Sequence, residues 1–313
     1  MKKILCLLIT YLSIVASSAF AEQLRFSKSD AGDAYDFSYQ WVDYAQQTQN
    51  MRFTLPKKAL FSKFRKFRAY NPDFAVKHVQ REVRKYLKQN PLSGISISYG
   101  NELSDISISG RNPSDVAKAS REIRSQETAI FNDYLASQFY HQFTDHQNSP
   151  GIKPDHVRIA QESVAMLAST KSVILDIVNV KNIRLVTNYV LGFVQNIPYS
   201  PLESRLTSSG AGFNVPAKVL WENQGDCDSK MTLTIAMLRA LMPRIKMVMI
   251  YIDQHAFIGL ELLPELGDVT IVHQGRTFVL GDPTGPRLMP LGQLSFESEQ
   301  AIRAKHYTAE IFD

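Results

Sequence analysis

Residues 226–241 form a predicted helix whose apolar side chains lie on nearly every face. Such a helix has no side that water can wet, so it must lie inside a protein core. Four short segments with strand character follow, at 245–252, 256–263, 269–273 and 276–281. Because their connections are short, these strands are expected to pair as an antiparallel meander. The pattern predicts an α+β fold, with one buried helix packed on an antiparallel sheet.

The first half of the chain predicts a separate, small α+β domain of unknown role over residues 22–147. Alternating and aromatic-rich stretches up to residue 55 are typical of strands. Further expected elements are a helix after Pro56 with Leu60, Phe64 and Phe67 on one face, a helix at 73–89, a hairpin at 95–109 and a helix at 113–139. Residues 144–154 are rich in polar residues, Gly and Pro, and are expected to be a linker. A second domain is then expected over residues 154–313.

The first 21 residues have the pattern of a bacterial signal peptide. Lys2 and Lys3 precede a short apolar run, and Ala19-Phe20-Ala21 is a typical cleavage site. Glu22 is therefore the expected first residue of a mature chain that is periplasmic or secreted. An uncleaved anchor is the alternative, although the apolar run is short for a membrane span. No later apolar run is long enough to cross a bilayer, so the mature chain is expected not to be transmembrane.

The cysteine count bears on both stability and function. The sequence contains two cysteines, Cys6 and Cys227, and Cys6 lies in the expected signal peptide. The mature chain then holds a single thiol, which has no partner for an intramolecular disulfide. Stability has to come from packing. A lone cysteine is either a small buried hydrophobe or a reactive group, and the two interpretations lead to different functions.

Basic residues are concentrated in one segment, Lys57–Lys88, which contains eleven Lys or Arg residues and only two acids. The whole chain has a formal net charge of +5, so its positive character is local. Docking to an anionic surface, such as lipid headgroups or an acidic envelope polymer, is one interpretation. The other is the solvated side of two helices that pack on a core. No nucleic-acid motif is present, and nucleic acid is not an expected partner.

Three residues in the second half predict a nucleophilic site. Cys227 lies in the first turn of the buried helix, where free backbone N–H groups and the helix dipole favour a thiolate. His255 begins a predicted strand, and Asp282 ends the last strand of the meander. In a meander both can reach the start of the helix, so they are expected to act as base and orienting acid. Asp226 and Asp228 are expected to cap the helix and to match its dipole.

The motifs around these residues resemble the bacterial transglutaminase-like superfamily, whose members include exported cysteine peptidases. The matching segments are Gly225-Asp226-Cys227-Asp228-Ser229-Lys230, His255-Ala256, Phe278-Val279-Leu280-Gly281-Asp282-Pro283-Thr284, Phe193-Val194-Gln195-Asn196-Ile197-Pro198-Tyr199 and Trp221-Glu222. The resemblance covers roughly residues 155–290. It implies a papain-like, transglutaminase-like core with a Cys227, His255 and Asp282 triad. One departure is Gly281, where a larger residue is common.

The oxyanion-binding side chain of that family has no clear counterpart here. Trp221, Gln224 and Gln195 are the three candidates. The long irregular stretch 200–224 precedes the cysteine and is expected to frame a substrate cleft, since loops of this length are commonly functional.

The expected function is that of an exported cysteine peptidase or amidase that acts on a protein or peptide through a thioester. A protein-glutamine transglutaminase forms the same thioester and is an alternative. A non-catalytic envelope-binding module that keeps the fold is another, and a redox-sensing thiol is a third. No cofactor is expected. A zinc site built from Cys227, His255, His273 and Asp282 lacks the closely paired ligands of usual zinc sites.

Overall fold

The computed structural model of the chain describes residues 20–100, 102, 105–178, 182–204 and 212–313. The strands are β1 (Glu22–Asp30), β2 (Ala34–Val42), β3 (Thr48–Pro56), β4 (Ile95–Tyr99), β5 (Ile106–Gly110), β6 (Tyr140–Thr144), β7 (Pro150–Pro154), β8 (Met247–Ile252), β9 (His255–Glu261), β10 (Thr270–His273), β11 (Arg276–Gly281) and β12 (Thr308–Phe312). The helices are α1 (Lys57–Phe61), α2 (Pro72–Gln89), α3 (Pro113–Ser137), α4 (His156–Leu167), α5 (Ser169–Ile177), α6 (Ile183–Gln195), α7 (Pro216–Glu222), α8 (Cys227–Leu241) and α9 (Phe296–Arg303).

Most of the predicted signal peptide, together with Cys6, lies outside the described residues. Among the residues that are described, no helix combines the length and the apolar content needed to cross a bilayer.

The C-terminal half contains the expected antiparallel sheet, but its strand order is not that of the expected meander, because β9 pairs with β11 and β10 lies at the edge. Five strands pair in the order β10-β11-β9-β8-β12, and every pairing is antiparallel. A two-residue turn joins β8 to β9, so Ile252 lies opposite His255. The four strands predicted from the sequence correspond to β8–β11. The fifth, β12, was not predicted because its partner β8 is distant in sequence and no local turn signals the pairing.

Helix α8 lies in the centre of the molecule, as its apolar pattern predicts. It packs against α4, α6, α7 and β9. Within this helix only Cys227, Asp228 and Arg239 are not fully buried. Two of those three residues lie in the first turn, so the start of α8 is where this buried helix meets solvent.

The N-terminal sheet β1-β2-β3 belongs to the same hydrophobic core as α8. Alternate residues of β2 and β3 are buried, among them Tyr39 and Trp41. Both rings pack on Phe193 of α6, with centroid distances of 4.9 and 5.4 Å. The Tyr39 hydroxyl also donates a hydrogen bond to the Leu220 carbonyl of α7 at 3.1 Å. Residues 22–56 therefore pack with the second half of the chain.

The hydrophobic cores do not follow the expected boundary between residues 22–147 and 154–313. Helices α2 and α3 and the hairpin β4-β5 form a smaller cluster of their own around Val79, Val83 and Ile123. The unit with a separate core thus spans residues 72–137, between β3 and β6. Alternation along β2 and β3 predicts that one face is buried, but it carries no information about which element covers that face.

Two local expectations differ from the structure. The expected linker at 144–154 is the turn and second strand of the hairpin β6-β7, in which Asp145 Oδ1 accepts hydrogen bonds from two backbone N–H groups. The helix expected to run through Phe67 ends at Phe61. Phe64 and Phe67 keep their apolar role without helical structure, because they pack on the rings of Phe139 and Tyr140.

Candidate active site

Cys227 is the first residue of α8, as predicted. Asp226 caps the helix, because its carboxylate accepts a hydrogen bond from the Ser229 N–H at 3.0 Å. The residue before the cap, Gly225, forms a parallel bridge with Tyr199. A side chain at Gly225 would crowd Ser229, since a Cβ there would lie 3.2 Å from the Ser229 Cβ. The Ser229 N–H is used by this cap, whereas the N–H groups of Cys227 and Asp228 have no intrahelical partner and can donate to an anion.

His255 and Asp282 are hydrogen-bonded to each other. His255 begins β9, and Asp282 follows the last residue of the neighbouring strand β11. The distance from His255 Nε2 to Asp282 Oδ2 is 2.7 Å. The Asp282 side chain is 6 % exposed and the His255 side chain 23 %. Because Nε2 is engaged with Asp282, Nδ1 is the ring nitrogen left for proton transfer.

The Cys227 thiol lies over the start of β9. Its Sγ is 4.0 Å from the Gln254 carbonyl oxygen and 3.7 Å from Asp228 Oδ1. His255 is the next residue after Gln254, so the thiol and the imidazole lie at the same end of the sheet. Across the described residues Sγ makes no hydrogen bond to His255. The three predicted residues are thus gathered at one place, with the sulfur–imidazole contact not made in this conformation.

The charges around Cys227 favour the protonated thiol. Burial raises the pKa of Cys227, and Asp228 and Asp226 raise it further when they are ionised. Backbone N–H groups of Asp228 and Ala256 act in the opposite direction but are outweighed. The dipole of a helix start predicts a lowered thiol pKa, and the two flanking carboxylates together with burial explain why that lowering is not obtained.

The surroundings of His255 favour its protonated form. Burial alone lowers the pKa of His255, but the hydrogen bond and charge of Asp282, with the charge of Asp228, raise it above its usual value. The imidazole is therefore a stronger base than a free histidine, which suits a group that must take a proton from a thiol.

Lys230 is a site residue to which the sequence analysis assigned no role. It is fully buried on α8, and its Nζ donates a hydrogen bond to the Thr284 carbonyl oxygen at 2.5 Å. Burial lowers the pKa of Lys230 to about 7, against the opposing charges of Asp282, Asp226 and Cys227. Burial, followed by the charge of Asp228, raises the pKa of Asp226 to about 7. The sequence feature that could have identified Lys230 is a lysine within a helix that is apolar on nearly every face.

Gln195, a predicted oxyanion candidate, instead holds the Asp282 segment in position. Its Nε2 donates to the carbonyl oxygens of Asp282 at 2.7 Å and Met289 at 2.8 Å. Both amide hydrogens are therefore used, and none is left for an oxyanion. The side chain is 2 % exposed, which is consistent with a positioning role.

The other two oxyanion candidates stay predictions. The Trp221 ring packs edge-on against Tyr35 and Phe61 at 4.7 and 4.9 Å, and Lys28 Nζ lies 3.7 Å from its centroid. Gln224 donates a hydrogen bond to Glu222 at 3.3 Å. Neither side chain has a hydrogen bond to Cys227 or His255 within the described part of the chain.

The stretch 200–224, expected to be an irregular loop that frames the cleft, contains helix α7, and residues 205–211 lie outside the described ranges. Just before α7 the stretch touches α8, where the Asn214 N–H donates to Ser229 Oγ at 2.7 Å. Gly281 departs from the pattern of the transglutaminase-like superfamily that the motifs resemble, and packing explains the glycine. A Cβ on Gly281 would lie 3.1 Å from a methyl group of Leu191 and 3.1 Å from one of Leu291.

The zinc alternative is not compatible with the strand register. His273 lies opposite Arg276 at the start of β11, whereas Asp282 follows the end of that strand. Over the described ranges, no group of three or more His, Cys, Asp or Glu side chains is placed to hold a metal ion.

Comparison of the chain with protein-family models, curated proteins and solved structures found no match. The chemistry of the site therefore has to be inferred from the arrangement of Cys227, His255 and Asp282 rather than from a relative.

Proposed function

We propose that the protein is a thiol acyl-transfer enzyme, a transglutaminase-like cysteine peptidase or amidase that acts on a protein or peptide. The observation that carries this proposal is the 2.7 Å bond between His255 and Asp282 beside the helix start that bears Cys227. A nucleophile, a base and an acid that orients the base are the parts of such a triad.

The reaction begins when His255 Nδ1 takes the Cys227 proton and the sulfur attacks the carbonyl carbon of a peptide or glutamine amide. The C=O electron pair moves to oxygen, where first-turn N–H groups of α8 can stabilise the oxyanion. As the oxyanion collapses, the C–N bond breaks and the amine leaves with the proton from His255. A thioester on Cys227 remains.

In the second half, His255 takes a proton from water and the hydroxyl oxygen attacks the thioester carbon. The C–S bond then breaks, a carboxylic acid is released, and the proton returns to the sulfur. An amine in place of water gives a new amide, which is the transglutaminase alternative. Hydrolysis is the preferred form of the proposal because the motif resemblance is to exported bacterial peptidases.

The supporting residues hold Asp282 rather than the substrate. Gln195 bonds the Asp282 carbonyl, and the Thr284 N–H donates to Asp282 Oδ1 at 2.8 Å. Lys230 ties the Thr284 carbonyl to α8. The acid of the triad therefore has three connections that fix its direction, which is what an orienting group requires.

The test is the pH dependence of Cys227 alkylation by iodoacetamide in the mature chain from Glu22, where it is the single thiol. We expect His255→Ala to slow alkylation at pH 7 and to shift its midpoint upward, because the base is lost. His273→Ala is the matched control, since His273 ends β10 and lies opposite the start of β11, away from Asp282. Equal profiles for the two variants would refute the Cys-His pair. Peptide hydrolysis that is lost in Cys227→Ala would then identify the reaction.

A second candidate function, binding to an anionic envelope surface, is favoured by the exposure of the basic segment. Ten of the eleven Lys and Arg side chains in Lys57–Lys88 are exposed. Several of them form no ion pair with any described residue, namely Lys58, Arg65, Lys66, Arg68, Lys77, Arg84 and Lys88. Unpaired exposed cations of this density attract anionic lipids or polymers. In this candidate the periplasmic or secreted chain docks through this face.

This docking is tested by sedimentation with vesicles of anionic or zwitterionic lipid, and separately with a soluble polyanion. The triple variant Arg65→Ser, Lys66→Ser, Arg68→Ser is expected to lose binding to the anionic partner. A variant at three paired cations, Lys57, Lys63 and Lys85, is the control. Equal binding to both kinds of vesicle, together with no binding to the polyanion, would reject the candidate. If Cys227→Ala keeps every cellular phenotype, the non-catalytic binder replaces the enzyme.

A further inference from the structure

A second histidine–aspartate pair lies next to Cys227. His156 is the first residue of α4 and is completely buried. Its Nε2 has no hydrogen-bond partner among the described residues and lies 3.7 Å from Asp228 Oδ2. The other oxygen of the same carboxyl group, Oδ1, is the one 3.7 Å from the Cys227 sulfur. Asp228 therefore contacts the thiol with one oxygen and faces a buried imidazole with the other.

The remaining bonds of His156 determine which ring nitrogen carries hydrogen. Nδ1 is 3.1 Å from the Tyr251 hydroxyl, and that hydroxyl donates to Glu310 Oε2 at 3.0 Å. Lys153 Nζ pairs with Glu310 Oε1 at 2.9 Å, which favours the ionised carboxylate. Because the single Tyr251 hydrogen goes to Glu310, its oxygen accepts from His156 Nδ1–H. A neutral imidazole has one N–H, so Nε2 presents a lone pair to Asp228.

Two acceptors that face each other repel unless one of them carries a proton. We propose that the His156–Asp228 pair holds one proton, on Asp228 Oδ2, so that the carboxyl group beside the Cys227 sulfur carries no full negative charge. His156, held in one tautomer by Tyr251 and Glu310, acts as a positioning residue for that proton. The inference rests on the proposed role of Cys227 as nucleophile, because its consequence is that a thiolate can form beside Asp228.

The proton count is unchanged by catalysis. In the resting site the S–H faces Oδ1, and the proton on Oδ2 faces His156 Nε2. His255 takes the thiol proton when the sulfur attacks, and the proton on Oδ2 stays where it is. The sulfur therefore becomes anionic next to a neutral pair instead of next to a second anion, which costs less electrostatic free energy.

The groups that surround Asp228 come from five elements: Lys153 of β7, His156 of α4, Tyr251 of β8, His255 of β9 and Glu310 of β12. Burial raises the pKa of Asp228 against the opposing charges of Lys153 and His255. Burial, together with the charge of Lys153, lowers the pKa of His156 well below its usual value. Both directions agree with a proton that resides on the carboxyl group.

The experiment compares iodoacetamide alkylation of Cys227 at pH 7 in Asp228→Asn, His156→Gln and the double variant. Asp228→Asn is expected to change the rate by less than about threefold, because it replaces one neutral group by another. His156→Gln offers an N–H to Oδ2 and so stabilises the ionised carboxylate. It is expected to slow alkylation about tenfold, equivalent to about one unit in the thiol pKa. The double variant should return to the Asp228→Asn rate.

Acceleration by threefold or more in Asp228→Asn alone would show that Asp228 is ionised and would overturn the proposal. So would a His156→Gln rate equal to that of His146→Gln. His146 is the control because it forms a comparable contact, 3.8 Å from Asp253, without touching the thiol. If His156→Gln does not fold, Asp228→Asn decides by itself, since that side chain is 33 % exposed. The His255→Ala result tests the enzyme proposal separately, so the two failures are distinguishable.

Discussion

Replacement of Lys230 by methionine is expected to make the protein more stable and less active. Lys230 is fully buried, and its ammonium group donates a hydrogen bond to the Thr284 carbonyl oxygen. Burial lowers its pKa from 10.5 to about 7, a change of about 3.5 units. At about 1.4 kcal/mol per unit, the charged lysine destabilises the folded state by about 5 kcal/mol well below pH 7. Loss of this hydrogen bond leaves the Thr284 carbonyl oxygen without its donor, which costs about 2 kcal/mol.

The net expectation for Lys230→Met is therefore about 3 kcal/mol of added stability at pH 6. The sign of this stability difference depends on pH. Between pH 7 and 10.5 the unfolded chain keeps a proton on Lys230 that the folded chain has released, so the stability of the wild-type protein rises through this range. At pH 10 the burial penalty has almost vanished, and the variant is expected to be slightly less stable than the wild type.

Urea unfolding at pH 6 and pH 10, followed by circular dichroism, measures both values. Lys118→Met is the control, because Lys118 is an exposed lysine on α3 and should show no such pH dependence. A Lys230→Met protein that is less stable than wild type by the same amount at both pH values would refute the reasoning. Alkylation and hydrolysis should fall in the variant, because the Asp282 segment loses its connection to α8.

Three further predictions concern the contacts that hold the site. Tyr39→Phe should lower the free energy of unfolding by about 1–2 kcal/mol, because a buried carbonyl loses its donor; urea unfolding measures this, and exposed Tyr44→Phe should change little. Gln195→Ala should cost about 2–4 kcal/mol, since two buried carbonyls become unpaired; an unchanged midpoint would contradict its positioning role. Asp282→Asn should lower the pKa of His255, because the hydrogen bond and charge that raise it are removed; NMR titration of the ring proton reads the shift, and an unmoved pKa would contradict the assignment.

The part of the site that could be predicted is the part carried by local sequence. Gly225 followed by Asp226 marks a helix start, and the cap is present where the pattern indicates it. His255 and Asp282 flank strands whose ends are bounded by turns, and the antiparallel pairing of β9 with β11 brings those two residues together. The strand ends follow from local periodicity and turn chemistry, whereas the pairing of β9 with β11 instead of with β10 depends on the tertiary fold.

The electrostatics of the site could not be predicted from the same residues. The dipole of α8 indicates a lowered thiol pKa, whereas burial and two carboxylates produce the opposite direction for Cys227. Asp228 was expected to match the helix dipole, and its contact with buried His156 could not be foreseen. Burial and the approach of charges from other elements are long-range properties, and they outweigh the contribution of one helix end.

By itself, the sequence determined the α+β class, the buried helix, four strands of the antiparallel sheet and the order of Cys227, His255 and Asp282 along the chain. Tertiary structure alone decided the order of the strands within that sheet, the core that the first three strands join, the carbonyl groups to which Gln195 and Lys230 donate, and what surrounds the thiol. The physical reason is that alternation and capping are set by neighbours in the chain. The partner of an apolar face or a buried charge is set by elements distant in sequence that pack together only in the folded state.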